Sequence, residues 1–134
     1  MSIHASHLVP GDLVYFEAGD RIPADIRLIE ANGLSLDESS LTGETKPIFK
    51  HSASLVPNQI DLAHIHPSWY IQVTDTSTLS IPKFPISERK NIAFMGTLVC
   101  TGNGRGVVIA TGHDSELGQI CKLMKEVVFI DFLN

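Results

Sequence analysis

Residues 21–47, RIPADIRLIEANGLSLDESSLTGETKP, carry most of the information about the fold. Apolar and charged side chains alternate along the first part, with Ala24, Ile26 and Leu28 set against Asp25 and Arg27. A repeat of two is the side-chain period of a β-strand, so one face of this segment is predicted to be buried and the other solvated. Asn32-Gly33 tolerates positive φ and predicts a hairpin turn, followed by a short half-buried strand at 34–36.

The segments on either side of this stretch also favour strands. Upstream, Pro10-Gly11-Asp12 and Gly19-Asp20 are turn sequences that bracket a predicted strand at 13–17. Downstream, NIAFMGTLVCTGNGRGVVIATG predicts two strands, at 92–101 and 106–111. The glycine cluster at 102–105 could cradle a nucleotide phosphate, but such loops open into a helix. Because the β-branched GVVIATG follows instead, a hairpin turn is favoured.

The repeat becomes helical at residues 114–128. Apolar side chains recur there at i, i+3, i+4, i+7 and i+11, namely Leu117, Ile120, Cys121, Met124 and Val128. Asp114 or Ser115 is the predicted N-cap, and Glu116 suits the helix dipole in the first turn. Many short strands and one C-terminal helix predict a mostly β domain, a distorted jelly roll or β-sandwich.

The remaining segments are predicted to be irregular. Four prolines and many polar residues break up residues 51–85, which we interpret as a surface insert with a short strand at 69–73. Trp69 and Tyr70 are expected to pin this insert to the body, and a recognition patch is the alternative. Residues 129–134 are interpreted as a truncation point or an appended tail.

Size and charge narrow the function classes. A chain of 134 residues that is 43% hydrophobic can form one domain with a core, so 1–134 is predicted to be a single domain. The net charge of −5 argues against nucleic-acid binding. Cys100 and Cys121 are interpreted as reduced thiols, and no metal or cofactor site is predicted. No apolar run could span a bilayer, so the chain is expected to be soluble and monomeric by itself.

The LTGET segment, residues 41–45, offers catalytic groups. Gly43 lacks a β-carbon, so the backbone there can approach another surface closely. Thr42 adds a hydroxyl, and Glu44 adds a carboxylate that can orient or deprotonate water. Taken alone, a Thr-Gly-Glu tripeptide is more often an ordinary surface turn.

The wider context resembles a known family. LVPGDLVYFEAGDRIPADIRLIEANGLSLDESSLTGETKP and NIAFMGTLVCTGNGRGVVIATGHDSELGQI closely resemble the actuator domain of P-type cation-transporting ATPases, over residues 6–50 and 87–125. The most specific part is PGD…GD-x-IPAD…DES-x-LTGE. Within the family, SHLVPGDLV, RIPADIRLIEA and ISERKNIAFMGTLV are most similar to the secretory-pathway (Golgi) calcium/manganese pumps.

The resemblance implies a role for each residue of the loop. Thr42, Gly43 and Glu44 match the family's TGE loop, which docks on an aspartyl phosphate of the phosphorylation domain. The glutamate of that loop positions and activates the water that hydrolyses the phosphate. The residues that match the flanking positions are expected to shape the loop: Asp37, Glu38, Ser39 and Thr45, the last in place of the family's usual serine.

The resemblance also implies a larger protein. Its phosphorylation domain, nucleotide-binding domain and transmembrane helices would be the partners of this chain, and it would use ATP and Mg²⁺. The expected location is the cytosolic face of a secretory-pathway (Golgi-type) membrane. The chain holds no DKTGT-type phosphorylation motif, so it is expected to be inactive alone. The alternative hypothesis is a stand-alone, non-catalytic β-sandwich binding module.

Overall fold

The fold contains two strands of 13 residues and three shorter strands. The computed structural model describes residues 4–54 and 85–133. The strands are β1 (Leu13–Glu17), β2 (Asp25–Asp37), β3 (Ile48–Phe49), β4 (Ile92–Ala93) and β5 (Leu98–Ala110). The helices are α1 (Ser39–Thr42) and α2 (Glu116–Leu133), and three short 3₁₀ turns lie at Ala5–His7, Ile86–Glu88 and Gly112–Asp114.

One antiparallel sheet is built around the pairing of the two longest strands. Its order is β1-β5-β2-β3, and β4 also pairs with β2. β2 and β5 pair from Asp25 opposite Ala110 to Asp37 opposite Leu98. This long pair forms the centre of the sheet and carries α1 directly after the end of β2. The predicted fold class, mostly β with a C-terminal helix, is confirmed.

The core follows the period of two at both ends of β2. In β2 the alternate side chains of Ile26, Leu28, Leu34 and Leu36 are all buried. They pack with other buried residues: Leu8, Phe16, Ile22, Ala24, Ala93, Val99 and Val108. Removal of such side chains from water stabilises the fold by about 1.5–3 kcal/mol for each large one. The predicted strand at 13–17 is confirmed as β1.

The hairpin predicted at Asn32-Gly33 is wrong, because β2 continues through it. Gly33 has a φ of 55° and lies at an irregularity in the register between Asn32 and Ser35. A residue with positive φ can form a bulge as well as a turn. Because β5 pairs with β2 on both sides of the bulge, β2 continues as one strand and does not reverse direction.

The hairpin predicted at 102–105 is also wrong, since β5 runs straight through the glycine cluster. A β-carbon on Gly102 would lie 2.2 Å from the Asn32 carbonyl oxygen, and one on Gly106 would lie 2.3 Å from that of Arg27. The glycines therefore permit close approach of two strands. No helix follows the cluster, which agrees with rejecting a nucleotide loop. The predicted strand at 92–101 is split into β4 and the start of β5.

Asp25 does not lie on a solvated face as the alternation predicted, because its side chain is only 4% exposed. Its Oδ1 accepts a hydrogen bond from the Met95 amide at 2.9 Å, and its Oδ2 accepts one from the Glu116 amide at 2.9 Å. Burial raises the pKa of Asp25. The carboxylate therefore ties the first turn of α2 to the sheet.

Helix α2 begins where the sequence predicted and extends to Leu133, beyond the predicted end at 128. The predicted cap is confirmed at Ser115, whose Oγ accepts from the Gly118 amide at 3.0 Å. On the predicted apolar face, Leu117 and Ile120 are half-buried, whereas Cys121, Met124 and Val128 are exposed. The periodicity predicted the helix, but it did not predict which of its apolar side chains are buried. Nearly all of the predicted insert at 51–85, including Trp69 and Tyr70, lies outside the described residues.

Replacing Asp25 by Ala is expected to lower the free energy of unfolding by about 2 kcal/mol, because two buried amides lose their acceptor. Urea denaturation of the chain measures this. The matched control is Asp20→Ala: Asp20 Oδ2 accepts from the Glu17 amide at 2.9 Å at an exposed site, where water can replace it. Equal losses in the two variants would contradict an anchoring role for Asp25.

Candidate functional site

The site begins where β2 ends and the chain turns into α1. Asp37 Oδ1 accepts a hydrogen bond from the Ser39 amide at 2.9 Å. Hydrogen bonds from the side chain and amide of Ser39 lower the pKa of Asp37. The Glu38 carbonyl then accepts from the amides of Leu41 at 2.9 Å and Thr42 at 3.0 Å. The Asp37 carboxylate and the Glu38 carbonyl thus hold the backbone amides of a single helical turn.

Thr42 and Gly43 end that turn and direct Glu44 outward. Thr42 Oγ1 donates to the Glu38 carbonyl at 3.1 Å and accepts from the Glu44 amide at 3.2 Å. Gly43 has a φ of 77°, and its amide donates to the Ser39 carbonyl at 2.9 Å. A left-handed glycine directly after the helix is a common C-terminal cap.

Burial divides the predicted site residues into an exposed tip and a supporting base. Gly43, Glu44 and Thr45 are exposed, whereas Asp37, Ser39 and Thr42 are half-buried. Glu38 is fully buried. The structure brings these seven residues together in one turn, with the glutamate carboxylate at a surface that another molecule can reach.

Gly43→Ala is expected to lower the free energy of unfolding by about 1 kcal/mol, the cost of a left-handed conformation for a residue with a β-carbon. Steric overlap adds nothing, because a β-carbon here would meet no atom within 4 Å. Thermal denaturation measures the loss. Gly43→Asn is the control, since asparagine tolerates positive φ better, and a loss as large as that of Gly43→Ala would contradict the strain argument.

A buried ion pair lies beneath the turn and was missed by sequence reasoning. Lys50 Nζ contacts Glu38 Oε1, and both side chains are 0% exposed. Burial raises the pKa of Glu38 and lowers that of Lys50, and each partner's charge opposes the shift of the other. Glu38 Oε2 has no hydrogen-bond partner among the described residues. Lys50 is therefore the cation that opposes protonation of this buried carboxylate.

The pair packs against an aromatic ring and a second cation. Lys50 Nζ lies 5.2 Å from the centroid of the Phe94 ring, and Arg89 Cζ lies 5.9 Å from it. Arg89 Nη1 also forms a salt bridge of 2.7 Å with Glu116 Oε1 at the start of α2. A weak sequence signal existed, because a period of two places Lys50 on the same face as the half-buried Ile48.

Comparison with known proteins assigns the family. The family model described as the P-type ATPase actuator domain matches residues 1–125. This chain belongs to that family. The actuator domain is 45% identical over 123 residues to "Calcium-transporting ATPase 1" of Saccharomyces cerevisiae, covering 92% of this chain and 11% of that protein. It is 46% identical over 121 residues to "Calcium-transporting ATPase type 2C member 1" of Mus musculus, covering 90% of this chain and 11% of that protein.

The solved structures agree on the fold of this actuator domain. A crystal structure of a zinc-transporting PIB-type ATPase matches with a TM-score of 0.58 and 22% sequence identity, over 92% of this chain and 14% of that one. The actuator domain thus spans about a tenth of the length of the calcium-transporting relatives. Within residues 4–54 and 85–133, no helix is long and apolar enough to cross a membrane. Membership favours the pump hypothesis over a stand-alone binding module.

Proposed function

We propose that this actuator domain serves an ATP-driven calcium or calcium/manganese pump, and that it brings Glu44 to an aspartyl phosphate on another domain of the same protein. The observation that carries the proposal is the Thr42-Gly43-Glu44 segment, with exposed Gly43 and Glu44 next to the buried Glu38, in a chain of the actuator family. The names of the two calcium-transporting relatives support the choice of ion. Manganese and a Golgi-type membrane rest on the sequence resemblance alone.

The chemistry proposed for Glu44 is general-base hydrolysis. The water oxygen attacks phosphorus, the bond between phosphorus and the aspartyl oxygen breaks, and the water proton passes to the Glu44 carboxylate. The products are free aspartate and inorganic phosphate. Since little covalent chemistry falls to the protein, the rate depends mainly on where the carboxylate holds the water.

The exposed loop that carries Glu44 can bind another domain reversibly. A carboxylate beside a phosphoryl dianion is electrostatically unfavourable, so delivery of Glu44 on a separate domain makes hydrolysis conditional on conformation. The space around Gly43 is open, which allows a second surface to approach its backbone. The hydrogen bond from the Glu44 amide to Thr42 Oγ1 holds the glutamate backbone during that approach.

The remaining components are proposed to lie elsewhere in the full-length pump. They are the phosphorylation and nucleotide-binding domains, the transmembrane helices, and the sites for ATP and Mg²⁺. Among residues 4–54 and 85–133, no three His, Cys, Asp or Glu side chains come together to hold a metal ion. The chain alone is expected not to hydrolyse ATP, because its sequence contains no DKTGT-type phosphorylation motif.

Ion uptake by the full-length pump tests this function. Membrane vesicles that contain the pump are given ATP and radioactive calcium, with and without competing manganese. We expect uptake by the wild type, and its loss in a Glu44→Gln variant present at the same level. Equal calcium uptake by the wild type and the variant would contradict the role of Glu44, and competition by manganese would support the calcium/manganese class.

A further inference from the structure

We propose that the buried Glu38–Lys50 ion pair is a positioning element for Glu44, acting on the geometry of the tip rather than on the stability of the domain. This proposal rests on the proposed function of Glu44. It assigns a role in hydrolysis to Lys50, which lies six residues beyond Glu44 in the chain and takes part in no step of the chemistry.

On the side of the loop, the backbone carbonyl of Glu38 accepts three hydrogen bonds of the turn. Its carbonyl accepts the amides of Leu41 at 2.9 Å and Thr42 at 3.0 Å, and the Thr42 hydroxyl at 3.1 Å. That hydroxyl in turn accepts the Glu44 amide at 3.2 Å. A rotation of the Glu38 peptide therefore moves the Thr42 hydroxyl that accepts the Glu44 amide.

On the side of the body, Lys50 is held from two directions. Its amide donates to the Leu34 carbonyl at 2.9 Å, which fixes it to β2, and its Nζ donates to the Arg89 carbonyl at 3.3 Å. The Phe94 ring lies 5.2 Å from Nζ. Because Lys50 is anchored, its contact with Glu38 fixes the side chain at the base of the turn.

The physical argument for position over stability comes from the energetics of buried charges. Removing two ions from water offsets most of their mutual attraction, so an apolar pair of similar volume often stabilises a fold as well or better. An apolar pair makes no polar contact, however, whereas the Glu38 carboxylate is held at one oxygen by the anchored Lys50 ammonium group. Replacement of both residues should therefore leave the domain folded and loosen the tip.

The first test compares two steps of the cycle in the full-length pump. In the double variant Glu38→Leu/Lys50→Met, we expect the phosphoenzyme to form from ATP at a rate within about twofold of the wild type and to decay at least about tenfold more slowly. The control is Glu30→Gln/Arg105→Met, which removes a half-exposed ion pair of 2.9 Å between β2 and β5. Both rates are expected to stay unchanged in the control.

The second test follows amide hydrogen exchange in the 134-residue chain. The amides of Leu41, Thr42 and Gly43 are expected to exchange at least about tenfold faster in the double variant, and at the wild-type rate in the control. Glu38→Gln, which keeps the shape of the side chain and an oxygen for Lys50, is expected to give a smaller increase.

The outcomes separate this inference from the proposed function. Normal phosphoenzyme decay in Glu44→Gln would overturn the proposed function, and the positioning role with it. Slow decay in Glu44→Gln together with wild-type decay in the double variant would overturn the positioning role alone. A double variant that does not fold would also overturn the positioning role, because the pair would then act on stability. Unchanged exchange of the Leu41, Thr42 and Gly43 amides would overturn it too, because the pair would then have no effect on the turn.

Discussion

Replacing Glu44 by Gln is expected to slow decay of the phosphoenzyme in the full-length pump by about 100-fold to 10,000-fold, the usual contribution of a general base. Glutamine keeps the length and shape of the side chain but cannot accept the proton of the attacking water. Formation of the phosphoenzyme is expected to continue at the wild-type rate, because Glu44 belongs only to the hydrolytic step. Quenching labelled phosphoenzyme at successive times measures both rates.

Because Glu44 is exposed, Glu44→Gln can separate a loss of activity from a loss of stability. Its side chain is exposed, so the substitution should leave thermal stability unchanged, and a loss of activity cannot be attributed to unfolding. Glu17→Gln is the matched control, since Glu17 is also an exposed glutamate but lies on β1. If the phosphoenzyme decays at the same rate in Glu44→Gln and Glu17→Gln, Glu44 is not the general base.

Lys50→Met is expected to lower the free energy of unfolding of the chain by about 3–5 kcal/mol, because it leaves Glu38 buried without its cation. The loss should be far larger than that for Arg105→Met, since the Arg105–Glu30 pair is half exposed to water. Adding Glu38→Leu to Lys50→Met should recover most of the stability. Urea denaturation of the three variants measures this, and a double variant less stable than Lys50→Met would contradict the argument.

The penalty in Lys50→Met should also depend on pH in a defined direction. Burial already raises the pKa of Glu38, and loss of the ammonium group removes a charge that lowers it. Above the ordinary pKa of a glutamate, Glu38 of the unfolded variant has lost its proton, whereas Glu38 of the folded variant still binds one. The free energy of unfolding therefore falls as pH rises through this window. The destabilisation relative to the wild type should be smaller near pH 5 than near pH 8. An equal destabilisation at pH 5 and pH 8 would mean that Glu38 stays ionised without Lys50.

Local patterns predicted the parts of this domain that depend on neighbouring residues. The strand at 13–17 was found with its predicted bounds, and Ser115 caps the helix as expected. The turn at Thr42-Gly43-Glu44 was also predicted, because its conformation depends on a glycine and on hydroxyl groups a few residues away. The chemistry assigned to Glu44 stays a prediction.

Residues distant in the chain determined what the local patterns could not. Asn32-Gly33 has the composition of a hairpin turn, yet it forms a bulge because β5 pairs with β2 on both sides of it. Asp25 alternates like a surface residue, yet it is buried because α2 returns to place the Glu116 amide against it. In both cases a partner from the far end of the chain overrides the local preference.

The sequence by itself determined the family, the mostly β class and the position of the loop that carries Glu44, because motifs, periodicity and turn chemistry are properties of short segments. Only the tertiary structure decided that Glu38 is buried, that Lys50 contacts its carboxylate, and that Phe94 and Arg89 lie beside Lys50. Whether a charge is buried, and what opposes it, depends on which distant residues the register of the sheet brings together, and that register is fixed only when the whole sheet forms.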